Sequence, residues 1–136
     1  MRVRQPFLRA IQLLREAGFV VGVITNNWQP TPASASRMDK LRSKFDFFVE
    51  SWKSGCRKPD QKIYDIAMQH VRRADSSIRG SQVVFLDDMG QNLKVPRRRH
   101  GWHTIKVRSD KDRWVDALLE LQKVTGVRLW RSTAKL

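Results

Sequence analysis

Three short stretches carry residue types that could hold a phosphoryl group. In VVFLDDMGQNL, residues 83–93, an apolar run ends on Asp87 and Asp88 just ahead of an expected helix. Adjacent carboxylates at a strand's carboxyl end are an oxygen-ligand arrangement suited to Mg²⁺. Helix capping by one of the two acids is the alternative. In VITNNW, Thr25, Asn26 and Asn27 follow another apolar run. Their hydroxyl, amide and backbone N–H groups could hold phosphate oxygens, although Thr and Asn are ordinary turn residues. In GCRKPDQKIY, Lys58 stands just before an expected helix start. An ammonium there, with the helix's first N–H groups, could neutralise a phosphoryl group; a solvated loop lysine is the commoner state.

These residues need strands to present them. Pro6, Phe7, Ile11, Leu14 and Gly18 are spaced for a first helix with proline at its start and glycine past its end. FVVGVIT, residues 19–25, is a continuous β-branched run of the kind buried on both faces of a parallel sheet. A helix is expected from Ser34 or Ser36 toward Phe45, then a strand over 45–51, a loop, and a helix carrying Ile63, Ala67, Met68 and Val71. Strands over 82–88 and 102–107 flank a short helix from Gln91 to His100, in which Pro96 threatens the register of Asn92. Asp110 is the expected cap of a last helix with Trp114, Ala117, Leu118 and Leu121 on one face. The alternation predicts an α/β fold, Rossmann-like, with a mainly parallel sheet and flanking helices.

The 136 residues, 40% hydrophobic, suit one domain over 1–136. The single cysteine, Cys56, excludes an internal disulfide and a thiolate cluster, which fits a reducing interior: cytoplasmic, or alternatively mitochondrial or peroxisomal. No apolar run reaches the roughly 18 residues of a membrane span, so no membrane partner is expected. Of the net charge of +14, +8 falls in residues 94–136, where Arg97, Arg98 and Arg99 adjoin. A basic face can bind nucleic acid, but a solvated surface is the commoner reading, and the aromatics sit at apolar positions a core would claim. Trp28, beside Asn26 and Asn27, is the one aromatic placed to touch a ligand.

Taken in order, Thr25-Asn26, Lys58 and Asp87-Asp88 resemble the later motifs of the haloacid dehalogenase superfamily. VITNNW, FDFFVESWKSGCRKPDQKIY, VVFLDDMGQNLK and LQKVTGVRL are similar, within it, to the phosphatase domains of the soluble epoxide hydrolase type and the related domain of acyl-CoA dehydrogenase family member 10. The resemblance implies Mg²⁺-dependent hydrolysis of phosphate monoesters through an aspartyl-phosphate. It implies that Thr25 and Asn26 bind phosphate, that Lys58 steadies the nucleophile and phosphoryl group, and that Asp88 ligates Mg²⁺ with Asp87 in support.

The family's nucleophile lies in a DxDGT-type motif on its first strand, and no such motif occurs here. By the resemblance, that strand and most of the cap would precede residue 1. The chain is then expected to be inactive alone and to bind Mg²⁺ weakly or not at all. The strands flanking the gap would lose a shared neighbour. Direct pairing, a homodimer or the N-terminal segment could fill it. A non-catalytic binding or assembly form, and a basic nucleic-acid-binding module, are the alternative functions.

Overall fold

The computed structural model describes residues 3–131. Helix α1, Gln5–Glu16, has proline in its first turn and buries Ala10 and Leu14. Gly18, at φ +93°, turns the chain in a conformation that side chains other than glycine's resist. There Phe19 returns its N–H to the Leu14 carbonyl at 3.0 Å, which closes the helix end. Strand β1 is Gly22–Thr25, shorter than the 19–25 run, because Phe19 is exposed and the ladder begins only at Gly22.

Helix α2, Pro32–Arg42, starts ahead of the expected Ser34. Proline occupies the first turn, and Thr31 and Ser34 exchange side-chain bonds with each other's N–H groups at 3.3 and 3.0 Å. Strand β2, Phe47–Glu50, leads into one helical turn, α3, Ser51–Ser54, where a plain loop was expected. Helix α4, Gln61–Ala74, buries the predicted Ile63, Ala67, Met68 and Val71, and Tyr64 with them. Strand β3, Val84–Asp87, helix α5, Gly90–His100, and strand β4, His103–Lys106, follow as the sequence predicts. Asp110 is not the cap of the last helix, α6, Trp114–Thr125. It opens a separate 3-10 turn, in which Lys111 and Asp112 take φ of 48° and 61° and so break the helical path.

The strands form two two-stranded parallel sheets, β1–β2 and β3–β4, rather than one continuous sheet. Thr25 lies opposite Glu50, and Asp87 opposite Lys106. The same layers cover both sheets. On one side α1 and α6 pack over Ile105, with Val21, just ahead of β1, and Val84 and Leu86 of β3 against that cluster. On the other, α4 packs on Val49 and Trp102, with Ile24, Val83 and Phe85. Leu118 and Ile63 are fully buried at the two centres, worth roughly 1.5–3 kcal/mol each in transfer free energy.

Strand β3 is left with one open edge. His103 N–H bonds the Val83 carbonyl and Val107 N–H the Asp87 carbonyl, so the alternate residues Val84 and Leu86 turn their backbone groups away from β4. Among the described residues no strand pairs there, and Val84, Phe85 and Leu86 are only half-buried despite helices on both faces. Direct pairing of β1 with β3, one of the expected ways to close the gap, does not occur.

Pro96 stays inside α5, buried, without displacing Asn92. A proline at 96 has no N–H for the carbonyl four residues back. The Tyr64 hydroxyl supplies the bond instead, 2.7 Å from the Asn92 oxygen.

Candidate functional site

The carboxyl ends of β1 and β3 and the loop before α4 bring Asn26, Lys58 and Asp87 together. Asn26 holds the Lys58 backbone in both directions. Its Oδ1 accepts the Lys58 N–H at 2.8 Å, and its Nδ2 donates to the Lys58 carbonyl at 3.1 Å. The Lys58 ammonium then reaches Asp87 Oδ2 at 2.7 Å, across from one sheet to the other. Asn92 Nδ2 donates to the same oxygen at 3.3 Å, and Met89 N–H to Asp87 Oδ1 at 2.8 Å. Asp87 is buried and Asp88, the next residue, is exposed. Thr25 is buried at the end of β1, one residue before this clamp.

A second polar knot fixes the loop after Thr25. The Ser51 hydroxyl accepts the Asn27 N–H at 2.8 Å and donates to the Asn27 carbonyl at 3.1 Å. Glu50, buried at 3% exposure, accepts from Asn27 Nδ2 at 3.0 Å, Arg42 at 2.7 Å and the Trp52 indole at 3.3 Å. Glu50 and Ser51 were not singled out from the sequence, whereas Asn27 was grouped with Thr25 and Asn26 and Asn92 was named for its nearness to Pro96. The one usable signal was Glu50 at the end of an apolar strand, as Asp87 is.

Burial of Asp87 favours its neutral form, but the Lys58 ammonium and the Met89 N–H outweigh it and hold the carboxyl below its ordinary range. Glu50 is lowered in the same way: burial opposes ionisation, and bonds from Arg42, Asn27 and Trp52 overcome it. The Tyr64 hydroxyl is pushed upward, by burial first and then by the negative charges of Asp87 and Asp60, so it stays a proton donor to Asn92.

The Asp87-Asp88 pair does not by itself make a metal site. Among the described residues no three His, Cys, Asp or Glu side chains cluster to hold a cation. Both Asp87 oxygens already accept bonds, from Lys58, Asn92 and Met89, which leaves Asp88 as the one unengaged carboxylate of the pair. The chain's sole Asp-x-Asp spacing, Asp110 to Asp112, lies in the exposed turn after β4 and not on a strand.

The histidines, and two of the three adjacent arginines, have structural partners. His70 stacks on Phe47 at 5.2 Å, His100 approaches Asp65 at 2.7 Å, and His103 lies 3.7 Å from Glu120. Arg97 donates to Thr104 at 2.6 Å and Arg99 pairs with Asp65 at 2.7 Å, so two of the three adjacent arginines serve contacts within the chain. Cys56 is half-buried beside Ser54. No helix among the described residues is long and apolar enough to cross a membrane. A groove of about 1190 Å³ is lined by Arg15, Phe19 and Lys44, away from these residues.

The fold and the ordered site place the chain in a class that comparison with known proteins makes definite: residues 2–95 match the haloacid dehalogenase-like hydrolase model, and the chain belongs to that family. It is 40% identical to bifunctional epoxide hydrolase 2 of Sus scrofa over 98% of its length, and 37% identical to the Rattus norvegicus protein over 93%. It is also 37% identical to acyl-CoA dehydrogenase family member 10 of Mus musculus over 89% of its length. The chain spans 23%, 22% and 10% of those proteins respectively. Among solved structures, an uncharacterized protein from Corynebacterium glutamicum superposes with a TM-score of 0.72 at 16% identity, covering 91% of this chain and 84% of that one. A predicted HAD-like family hydrolase from Porphyromonas gingivalis gives 0.66 at 21%, covering 90% and 58%.

Proposed function

We propose that this chain provides the phosphate-holding corner of a phosphate monoester hydrolase site. The observation that carries this reading is the bonded series Asn26–Lys58–Asp87. It sets one cation, held at both its backbone and its ammonium, at the carboxyl ends of two parallel sheets, where ligands bind in folds of this kind. Lys58 would stabilise negative charge on the phosphoryl oxygens, and the Thr25 hydroxyl with the N–H groups of the following loop would donate to them. A Mg²⁺ ion would supply further charge neutralisation, with Asp88 its available carboxylate. Because the described residues offer no complete ligand set, we assign no step through the metal.

The aspartyl nucleophile is assigned to a further strand, lying between β1 and β3 and brought by an N-terminal segment or by a partner. The unpaired edge at Val84 and Leu86 supports this placement. Residues 1–136 alone are then expected to bind phosphate without turning over a monoester. The epoxide hydrolysis in the relatives' name is not proposed for them.

Inorganic phosphate titrated into the labelled chain tests the reading by amide chemical shifts. Shifts at residues 25–27 and 58, lost in Lys58→Ala, are expected. Shifts scattered over the basic surface, or unchanged by the substitution, would sink it.

A further inference from the structure

Helix α1 buries only part of its apolar surface. Ala10 and Leu14 enter the core shared with α6, whereas Leu8 and Ile11 are half-buried and line the groove of about 1190 Å³. Phe19, 42% exposed, and Val20, in the turn before β1, extend this apolar floor. Lys40, near the end of α2, and Lys44, just after it, line the groove as well. Val20 precedes β1 and Asp46, another lining residue, precedes β2, so the groove sits at the amino ends of the first sheet. The Asn26–Lys58–Asp87 series stands at the carboxyl ends. A molecule lying in the groove therefore leaves the phosphate site open.

The charges of the groove do not balance. Arg15 and Asp46 pair at 2.9 Å, and Asp46 accepts the Val21 N–H on its other oxygen at 2.8 Å, so both are engaged. Three exposed cations remain at the rim, Arg9, Lys40 and Lys44, with Glu16 the one remaining acid of the lining. Arg9 bonds the Gln12 amide at 3.2 Å, and none of the three has a carboxylate partner among the described residues. An apolar floor rimmed by unpaired cations is the complement of a segment with an apolar face and acidic flanks. The volume exceeds the roughly 300–1,000 Å³ of small-molecule pockets, which favours a chain segment over a metabolite. A second copy is a poor occupant, because two chains of net charge +14 repel each other.

We propose that this groove docks an acidic amphipathic helix of a partner protein. No strand residue lines it, so backbone pairing cannot hold the partner, and a helix is the form that presents side chains alone. Apolar residues three and four apart on that helix lie against Leu8, Ile11 and Phe19, and its carboxylates face Arg9, Lys40 and Lys44. The cations steer the encounter and select an acidic partner, while the apolar contact slows its departure. Phe19 supplies a ring that now stands partly in water, so covering it is favourable. The proposal stands apart from the phosphate site and does not depend on it.

The test uses a labelled helical peptide of about 18 residues, with leucine along one face and glutamate along the other, and a scrambled peptide of the same composition. Binding is read by fluorescence anisotropy and by the amide chemical shifts of the chain. The helical peptide should shift residues 8–20 and 40–46, leave 25–27 and 58 unmoved, and bind more weakly as salt rises from about 0.05 to 0.3 M. Lys40→Gln/Lys44→Gln should weaken it about tenfold and Phe19→Ala about three- to fivefold. Lys94→Gln/Arg98→Gln, on α5 and outside the groove, should leave its affinity unchanged. All five side chains are exposed, so the variants are expected to fold. Absence of binding, or equal binding of the scrambled peptide, overturns the proposal. An equal loss in the α5 variant overturns it too, since the whole basic surface would then be attracting any anion. An oligothymidylate bound with the same dependence on Lys40 and Lys44 would reassign the groove to a nucleic-acid backbone.

Discussion

Tyr64 donates its hydroxyl to the Asn92 carbonyl at 2.7 Å, the position an N–H at residue 96 would serve if that residue were not proline. A helix defect in α5 is thus repaired from α4. The repair also sets Asn92, whose side chain bonds Asp87, so the core tyrosine reaches the site through one intermediate.

Tyr64→Phe leaves that carbonyl buried without its partner and should cost roughly 1–3 kcal/mol in urea denaturation. Pro96→Ala restores a helical N–H at that position. The double variant should therefore lose less than the sum of the single losses, and strict additivity would show that the hydroxyl does not compensate for the proline.

Removing the ammonium in Lys58→Ala strands the Asp87 carboxylate at 4% side-chain exposure. A loss of roughly 3 kcal/mol at pH 7 is expected. In the intact chain Asp87 is lowered, so its contribution is fully present above the unfolded carboxyl value of about 3.9 and is lost as the pH falls through the lower folded value. The stability gap between the two proteins should shrink below about pH 4. A gap constant from pH 7 to pH 3 would mean that the loss does not come from the stranded carboxylate.

Magnesium should have little effect on the chain by itself. With Asp88 the one unengaged carboxylate of the pair, melting curves in millimolar Mg²⁺ and in chelator should nearly coincide. A rise of several degrees, removed by Asp88→Asn, would reveal ligands beyond these residues.

Much of the fold was legible in local pattern. β-branched runs, proline at helix starts and glycine at helix ends follow from backbone sterics, which act within a few residues, so the order of four strands and the major helices could be read directly. The departures are local competitions. Thr31 and Ser34 cap each other and draw α2 forward, and the left-handed Lys111 and Asp112 cut Asp110 off from α6. Thr25, Asn26, Asp87 and Asp88 could be singled out because polar groups at the ends of apolar runs are costly without a task, and Lys58 because it stands just before a helix start.

By itself the sequence determined the class of fold, the family and the residues at its strand ends, since these depend on residue type and spacing. Tertiary structure alone decided that Asn26 clamps Lys58, that Asp87 pairs with that lysine, and that Glu50 and Tyr64 support the arrangement. It also left β3 with an open edge beside the first sheet. These contacts join residues 23 to 32 positions apart, and such bonds form only when packed helices bring distant loops together in a place where buried charges must find partners.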